Sequence, residues 1–146
     1  MRDQISMFST NKYKFLVYVS RKSDGLNSDM IADIISKAVI NNAMNDITGI
    51  LLIKRNYFYQ FIEGTEEAVD ALYAKLQCDK RHDDLHILMT GYENKRVFPI
   101  WDMHPIYSDT PDQQFYDFVK QCQIPEVKDS LQQFCINDKP LVEAYH

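Results

Sequence analysis

Residues 47–64, ITGILLIKRNYFYQFIEG, decide the fold of this chain. Aliphatic and aromatic residues dominate two short runs, Gly49–Lys54 and Tyr57–Glu63, and the polar pair Arg55-Asn56 separates them. Two such runs joined by a short polar turn are typical of a β-hairpin. We therefore expect this hairpin to form the middle of a sheet, with the other elements arranged around it.

Gln60 interrupts an otherwise apolar row in the second strand of the hairpin. Alternate side chains of a strand share a face, so Gln60 lies between Phe58 and Ile62. A buried amide that lacks a hydrogen-bonding partner costs ~1–3 kcal/mol. The sequence thus predicts a partner for Gln60, and the chemistry of that partner indicates the function.

The flanking sequence predicts further strands and two amphipathic helices. They are a strand at Lys14–Ser20, a helix at Ser28–Asn42 capped by Asn27 or Ser28, a helix that starts at Thr65 and ends near Gln77, and strands at His86–Thr90 and Val97–Met103. Gly91–Lys95 is the expected turn between the last two strands, and Pro99 indicates a sheet edge. The order β-α-β-β-α-β-β predicts an α+β, ferredoxin-like fold with both helices on one face of a mixed sheet.

Two short helices are expected after residue 110. Thr110-Pro111-Asp112-Gln113 resembles a helix start, and apolar residues recur at helical spacing on both sides of Pro125. Neither helix is long enough to fold alone, so the pair should cover the open face of the sheet. We expect a main domain over 13–105 and a C-terminal helical cap or output segment over 106–146.

Composition excludes several functional classes. The 146 residues are 45% hydrophobic and carry a formal charge of −5 without a dense basic cluster, which argues against direct nucleic-acid binding. No apolar run is long enough for a membrane helix. The three cysteines lack the spacing of a zinc site or a disulfide framework. These features predict an acidic cytoplasmic protein without a metal.

Tyr18, Asn42 and Gln60 are the polar residues predicted to point inward on the helix-covered side of the sheet. One interpretation is a buried hydrogen-bond network that only stabilises the fold. The other is a site for a planar heterocycle, because amides both donate and accept and so match an imide edge. The spacing alone leaves both interpretations open.

Several motifs in order resemble the BLUF domain, the blue-light sensor that uses flavin. The resemblance runs from about Phe15 to Met103 and rests on these segments: Tyr18-Val19-Ser20, Asn42 with Ile47-Thr48-Gly49-Ile50-Leu51-Leu52, Phe58-Tyr59-Gln60, Glu63-Gly64, Asp79-Lys80-Arg81-His82, and Arg96-Val97-Phe98-Pro99-Ile100-Trp101-Asp102-Met103. It implies a photoreceptor with non-covalently bound FAD whose ring lies between the two helices.

The resemblance also implies roles for individual residues. Tyr18 would donate an electron and a proton to the excited flavin, and Gln60 would rearrange its amide between Tyr18 and the flavin edge. Trp101 and Met103 would pass that change outward. The implied cofactor-binding residues are Tyr18, Ile34, Ala38, Asn41, Asn42, Leu51, Phe58, Gln60, Asp79, Arg81 and His82.

Some positions depart from the family pattern, and the output is open. Val39 stands where many members carry arginine, and Asp102 and His104 replace small residues beside Met103. The resemblance implies no enzymatic activity, so the signal would pass to a downstream partner protein or to a homo-oligomer interface. The alternatives are an acylphosphatase-like hydrolase using Arg81 and Asn42, and a flavin-free interaction module.

Overall fold

The computed structural model describes residues 12–22, 25–78, 82–98, 102–107 and 113–136. Its strands are β1 (Tyr13–Lys22), β2 (Thr48–Lys54), β3 (Tyr57–Gly64), β4 (His82–Glu93) and β5 (Asp102–Tyr107). Its helices are α1 (Ser28–Met44), α2 (Glu66–Gln77), α3 (Gln113–Gln121) and α4 (Pro125–Ile136). None of the helices in these ranges is long and apolar enough to cross a membrane.

The strands form one five-stranded sheet in the order β4-β1-β3-β2-β5. All neighbouring strands are antiparallel except β5, which pairs in parallel with β2 at one edge. The hairpin predicted from residues 47–64 supplies β2 and β3, and β3 lies at the centre of the sheet. The predicted ferredoxin-like arrangement is therefore confirmed.

Both helices that flank the hairpin begin at the predicted caps. The side chain of Asn27 accepts a hydrogen bond from the Met30 amide at the start of α1. The hydroxyl of Thr65 does the same for the Ala68 amide at the start of α2. Each cap satisfies an amide that has no partner within the first helical turn, which fixes where the helix begins.

The two faces of the sheet contribute to different apolar cores. On one face a core that includes Leu16, Ile62 and Val69 packs against α2. On the other face the C-terminal helices supply buried residues, and this larger core comprises Phe15, Val17, Val19, Ile50, Leu52, Tyr59, Phe61, Phe98, Val119, Cys122, Val127, Leu131 and Phe134. The C-terminal helices thus cover the face that α1 and α2 leave open, as predicted.

The last two strands differ from their predicted positions. β4 runs over His82–Glu93, so it is longer than His86–Thr90 and includes residues that we assigned to the turn at Gly91–Lys95. β5 covers Asp102–Tyr107 and so begins near the end of the predicted Val97–Met103 strand. It also extends two residues past the domain boundary expected at 105, and the proposed division into two domains stays a prediction.

Glu63 explains why Val97 and Phe98 are not part of a strand. Its carboxylate accepts hydrogen bonds from both of their amides, each at 2.7 Å, and from the Thr48 hydroxyl at 3.2 Å. Arg96 donates to the Thr48 hydroxyl and to both the backbone and the carboxylate of Asp46. Amides that donate to a side chain cannot also donate to a neighbouring strand. The contacts with Glu63 therefore hold segment 96–98 against β3, outside any strand.

Glu63 predicts a pH-dependent contribution to stability. Burial raises the pKa of Glu63, and the Val97 and Phe98 amides, Thr48 and Arg96 oppose that rise. A carboxyl whose folded-state pKa is raised stabilises fully below its unfolded-state pKa, and that stabilisation is lost as pH rises through the folded-state value. We expect the stability advantage of wild type over Glu63→Gln to decrease as the pH rises from about 4.5, the ordinary pKa of this carboxyl, toward neutrality. Urea unfolding across this range measures it, and an advantage that grows with pH would contradict the assignment.

Candidate functional site

Tyr18, Gln60 and Leu51 form one row across the middle of the sheet. Tyr18 of β1 lies opposite Gln60 of β3, and Gln60 lies opposite Leu51 of β2. In the next row Ser20 of β1 lies opposite Phe58. The strand registers therefore bring the tyrosine and the glutamine, distant in sequence, into direct contact.

The phenol of Tyr18 donates a hydrogen bond to the side-chain carbonyl Oε1 of Gln60. Both residues are buried, at 3% and 9% relative exposure. This bond supplies the partner that the apolar row around Gln60 predicts. Because the carbonyl faces Tyr18, the amide NH2 of Gln60 is the group that can donate to other partners in this orientation.

A cavity of about 490 Å³ lies above this row, between α1 and α2. Its volume falls within the range of small-molecule and cofactor pockets. Most of its wall is apolar and comes from the facing sides of the two helices and from the sheet. The cavity lining includes the predicted cofactor-binding residues Tyr18, Ile34, Ala38, Asn41, Asn42, Leu51, Phe58 and Gln60.

The apolar stripe of α1 is only half covered. Ile31, Ile34, Ile35 and Ala38 line the cavity and are partly exposed, and Asn42 is the one fully buried residue of this helix. An amphipathic helix normally buries its apolar face against the sheet. Here α1 leaves a cleft with apolar walls, which is the shape that a flat aromatic ligand fits.

Two buried polar side chains in the cavity wall can serve such a ligand. Asn42 ends the α1 stripe at 3% exposure and presents a primary amide to the cavity. Ser20 is completely buried, and within the described part of the chain its hydroxyl makes no hydrogen bond. Polar groups buried in this way normally have partners. Their position beside the Tyr18 and Gln60 pair fits a heterocycle with several polar edges.

The charged residues in the cavity lining are lysines. Lys37 comes from α1 and Lys75 from α2, and no carboxylate accompanies them among the lining residues of the described chain. In a protein with a formal charge of −5, a cavity whose charged residues are cations indicates an anionic ligand group. Lys37 forms an exposed ion pair with Asp33 at 2.9 Å, a type of contact worth only ~0.3–0.5 kcal/mol.

Other predicted residues lie outside what the structure describes. Asp79, Arg81 and Trp101 fall outside the described ranges. His82 and Met103 are placed only by their backbones, His82 at the start of β4 and Met103 in β5. Their cofactor-binding and signalling roles stay predictions.

Sequence reasoning missed Ser20, Lys37 and Lys75 as site residues. Ser20 follows Tyr18 by two residues in β1, so it shares the Tyr18 face, and its hydroxyl could have been recognised by the same argument as Gln60. The lysines gave no comparable signal, because a lysine at the border of a helical apolar stripe is usually a solvated side chain with a buried stem.

Comparisons with known proteins agree with this geometry. The family described as BLUF, sensors of blue-light using FAD, matches residues 14–104. Photoactivated adenylate cyclase subunit alpha of Euglena gracilis is 32% identical over 96 residues, which cover 64% of this chain and 9% of that protein. The blue light- and temperature-regulated antirepressor BluF of Escherichia coli K12 is 35% identical over 83 residues, 57% of this chain and 21% of that protein.

A solved structure extends the likeness to the C-terminal helices. The BLUF structure of BlrP1, a Klebsiella pneumoniae protein, superposes with a TM-score of 0.73 at 26% identity. It covers 89% of this chain and 98% of that chain. The chain spans only 9% and 21% of the two curated relatives named above, so what it shares with them is the sensor portion. The resemblance is confirmed, and this chain belongs to the BLUF family of blue-light sensors that use FAD.

Proposed function

We propose that this chain senses blue light with an FAD held in the cleft between α1 and α2, and that Tyr18 and Gln60 form the switch. The buried hydrogen bond from the Tyr18 phenol to Gln60 Oε1 at the floor of the cleft carries this proposal. When bound, FAD supplies blue-light absorption and an excited state that accepts an electron. The remaining steps depend on the side chains of the chain itself.

The residues of the cleft fit the ring system and the phosphates of that cofactor. The apolar faces of the helices at Ile34 and Ala38 suit a planar ring system, and Asn42 can both donate to and accept from an imide edge. Lys37 and Lys75 suit the phosphates, which are anionic at neutral pH. A ring bound in the cleft would cover the apolar side chains of α1 that are partly exposed in its absence.

Gln60 can switch its hydrogen bonds without changing the charge or volume of the core. In the present orientation its Oε1 accepts from Tyr18. Reversal of the amide, by rotation or tautomerisation, would direct a donor toward Tyr18 and an acceptor toward the other side. Because the amide donates at one end and accepts at the other, the reversal gives two discrete hydrogen-bonding arrangements.

We propose that the output passes to a downstream effector protein or to a second copy of the chain. The relatives named above are a photoactivated adenylate cyclase and a light-regulated antirepressor, so BLUF domains serve chemically unrelated effectors. A sensor domain of this family has no catalytic role of its own. The free thiols of Cys78 and Cys122 support the proposal that the protein works in the reducing cytoplasm.

A light-minus-dark absorption spectrum of the purified protein tests the proposed function. We expect a small red shift of the flavin bands under blue light that reverses in the dark, because stronger hydrogen bonding to the ring changes its absorption. Flavin released by denaturation and separated chromatographically identifies FAD. A colourless protein that releases no flavin would contradict the proposal and favour an interaction module.

Tyr18→Phe should abolish formation of the normal signalling state. This change keeps the ring in the core and removes the phenolic O–H that donates to Gln60. We expect flavin to remain bound while the red-shifted state falls below roughly a tenth of its wild-type yield, since the proposed donor is missing. Tyr73→Phe removes a phenol on α2 that accepts from Gln77 and does not line the cavity, so it serves as the matched control. Wild-type photochemistry in Tyr18→Phe would overturn the donor assignment.

A further inference from the structure

Helix α4 is attached to the back of the same strand that carries Gln60. Tyr59 precedes Gln60 in β3, is completely buried, and points to the opposite face of the sheet, into the core formed with the C-terminal helices. Its hydroxyl lies 2.5 Å from the Ser130 hydroxyl of α4. The residue adjacent to the proposed switch therefore contacts the last described helix.

The direction of this hydrogen bond follows from the geometry. The Ser130 hydroxyl donates to the Val127 carbonyl at 2.8 Å, which uses its one proton. With that proton used, Tyr59 donates to Ser130 Oγ, and the Tyr59 hydroxyl also lies 3.5 Å from the same Val127 carbonyl. The result is a chain of two hydrogen bonds from Tyr59 through Ser130 to the backbone of α4.

Two more contacts hold the C-terminal half of α4. The ring of Tyr59 packs on Phe134 with centroids 5.5 Å apart. Lys54, a β2 residue with only 6% exposure, donates from Nζ to the Cys135 carbonyl at 2.6 Å. A cation at the carbonyl end of a helix is favourable, since it complements the helix dipole. α4 is thus attached to β2 and β3, two of the three strands whose residues form the floor of the cavity.

The pairing of β3 with β2 constrains the backbone on both sides of the peptide bond that joins Tyr59 and Gln60. Gln60 is opposite Leu51 in β2, and Tyr59 is opposite Leu52, which is also completely buried. A change of backbone position at Gln60 moves the Tyr59 side chain, because one peptide bond joins them. Because Tyr59 is completely buried in the core that it shares with the C-terminal helices, a shift of its Cα changes the distance from its hydroxyl to Ser130.

We propose that Tyr59 is a positioning residue that couples Gln60 to α4: rearrangement at Gln60 weakens the Tyr59–Ser130 hydrogen bond and loosens α4 from the sheet. This inference rests on the proposed photoreceptor function. It differs from the route through Trp101 and Met103 implied by the family resemblance, because it runs through the central strand and not through β5 at the sheet edge. The side chains of α4 that would be freed include the buried Leu131 and Phe134.

Hydrogen exchange of the full-length protein, measured in darkness and under blue light, tests the coupling. In wild type we expect the amides of residues 127–136 to exchange faster in the light. Tyr59→Phe keeps the ring and removes the donor, so α4 should already exchange about two- to tenfold faster in darkness. Its additional response to light should fall to less than about half of the wild-type change, because the hydrogen bond that light weakens is absent. Ser130→Ala removes the acceptor from the other side and should reproduce both effects.

The absorption spectrum distinguishes the possible failures. Tyr59→Phe and Ser130→Ala should retain the wild-type red shift, since neither residue lines the cavity, and Tyr73→Phe should match wild type in both measurements. A wild type without the red shift would disprove the proposed function itself. A normal red shift with an unchanged light response of residues 127–136 in both variants would overturn the coupling alone, as would a wild type whose α4 does not respond to light.

Discussion

Replacing Gln60 with leucine will leave FAD bound and remove the light-induced red shift. Leucine fills a similar volume in the row between Phe58 and Ile62, so the cavity floor keeps its shape. It cannot accept from the Tyr18 phenol or donate toward the cavity, and so it has no hydrogen bonds to rearrange. We expect the amplitude of the light-minus-dark difference to fall below roughly a tenth of the wild-type value.

The chain offers a matched control for this substitution. Gln77 on α2 donates to the Tyr73 hydroxyl at 3.0 Å, so it is also a glutamine bonded to a tyrosine, but the pair is exposed and lies outside the cavity lining. Gln77→Leu should therefore keep the full red shift and the wild-type dark recovery. A normal photocycle in Gln60→Leu would mean that the switch lies elsewhere among the cavity residues.

The effect of Gln60→Leu on the light response can be measured separately from its effect on protein stability. Gln60→Leu also removes a buried polar group and leaves the Tyr18 hydroxyl without this partner. Such a change can make the protein either more or less stable. Thermal unfolding monitored by circular dichroism gives this effect independently of the spectrum. A folded, flavin-bound protein without a red shift is the result that assigns the switch to Gln60.

Local patterns were sufficient to predict the elements around the hairpin. Alternation in β1, β2 and β3 and the caps at Asn27 and Thr65 each depend on residues within one or two turns or strands. These signals placed Tyr18 and Gln60 on one face, and the register then brought them into contact. The candidate site was predictable to the extent that it depends on such local placement.

β5 could not be predicted in this way because its start depends on a distant carboxylate. The run from Val97 has the composition of a strand, but Glu63 takes the amides of Val97 and Phe98. That interaction joins residues more than thirty positions apart, and no local pattern reports it. The same reason applies to the contact between Tyr59 and Ser130, which joins β3 to a helix on the opposite face.

The presence of an open cleft between α1 and α2 also could not be predicted from the sequence. The stripe of α1 predicts a helix packed on the sheet, whereas Ile34 and Ala38 stay half exposed beside a cavity. Periodicity identifies which face of a helix is apolar, but it does not state whether protein or a ligand covers that face. The family resemblance supplied the ligand, and the cavity between α1 and α2 supplies a space for it.

Ala38→Trp, which fills that cleft, will strongly weaken flavin binding while the protein stays folded. Ala38 lies on the cavity side of α1 and is partly exposed, so a larger side chain there projects into the cleft and displaces no packed core residue. Overpacking of a well-formed site typically costs ~1–3 kcal/mol, which corresponds to a roughly five- to 150-fold weaker affinity for FAD. The purified variant should be nearly colourless.

Ala43→Trp provides the control that makes this result specific. Ala43 belongs to the same helix, is exposed, and does not line the cavity, so its replacement adds the same side chain without occupying the cleft. It should bind FAD as wild type does. If Ala38→Trp retained FAD at wild-type affinity with an unchanged absorption spectrum, the flavin would lie outside this cleft. The roles proposed for Asn42, Lys37 and Lys75 would then be wrong as well, because all of them depend on a ring held between α1 and α2.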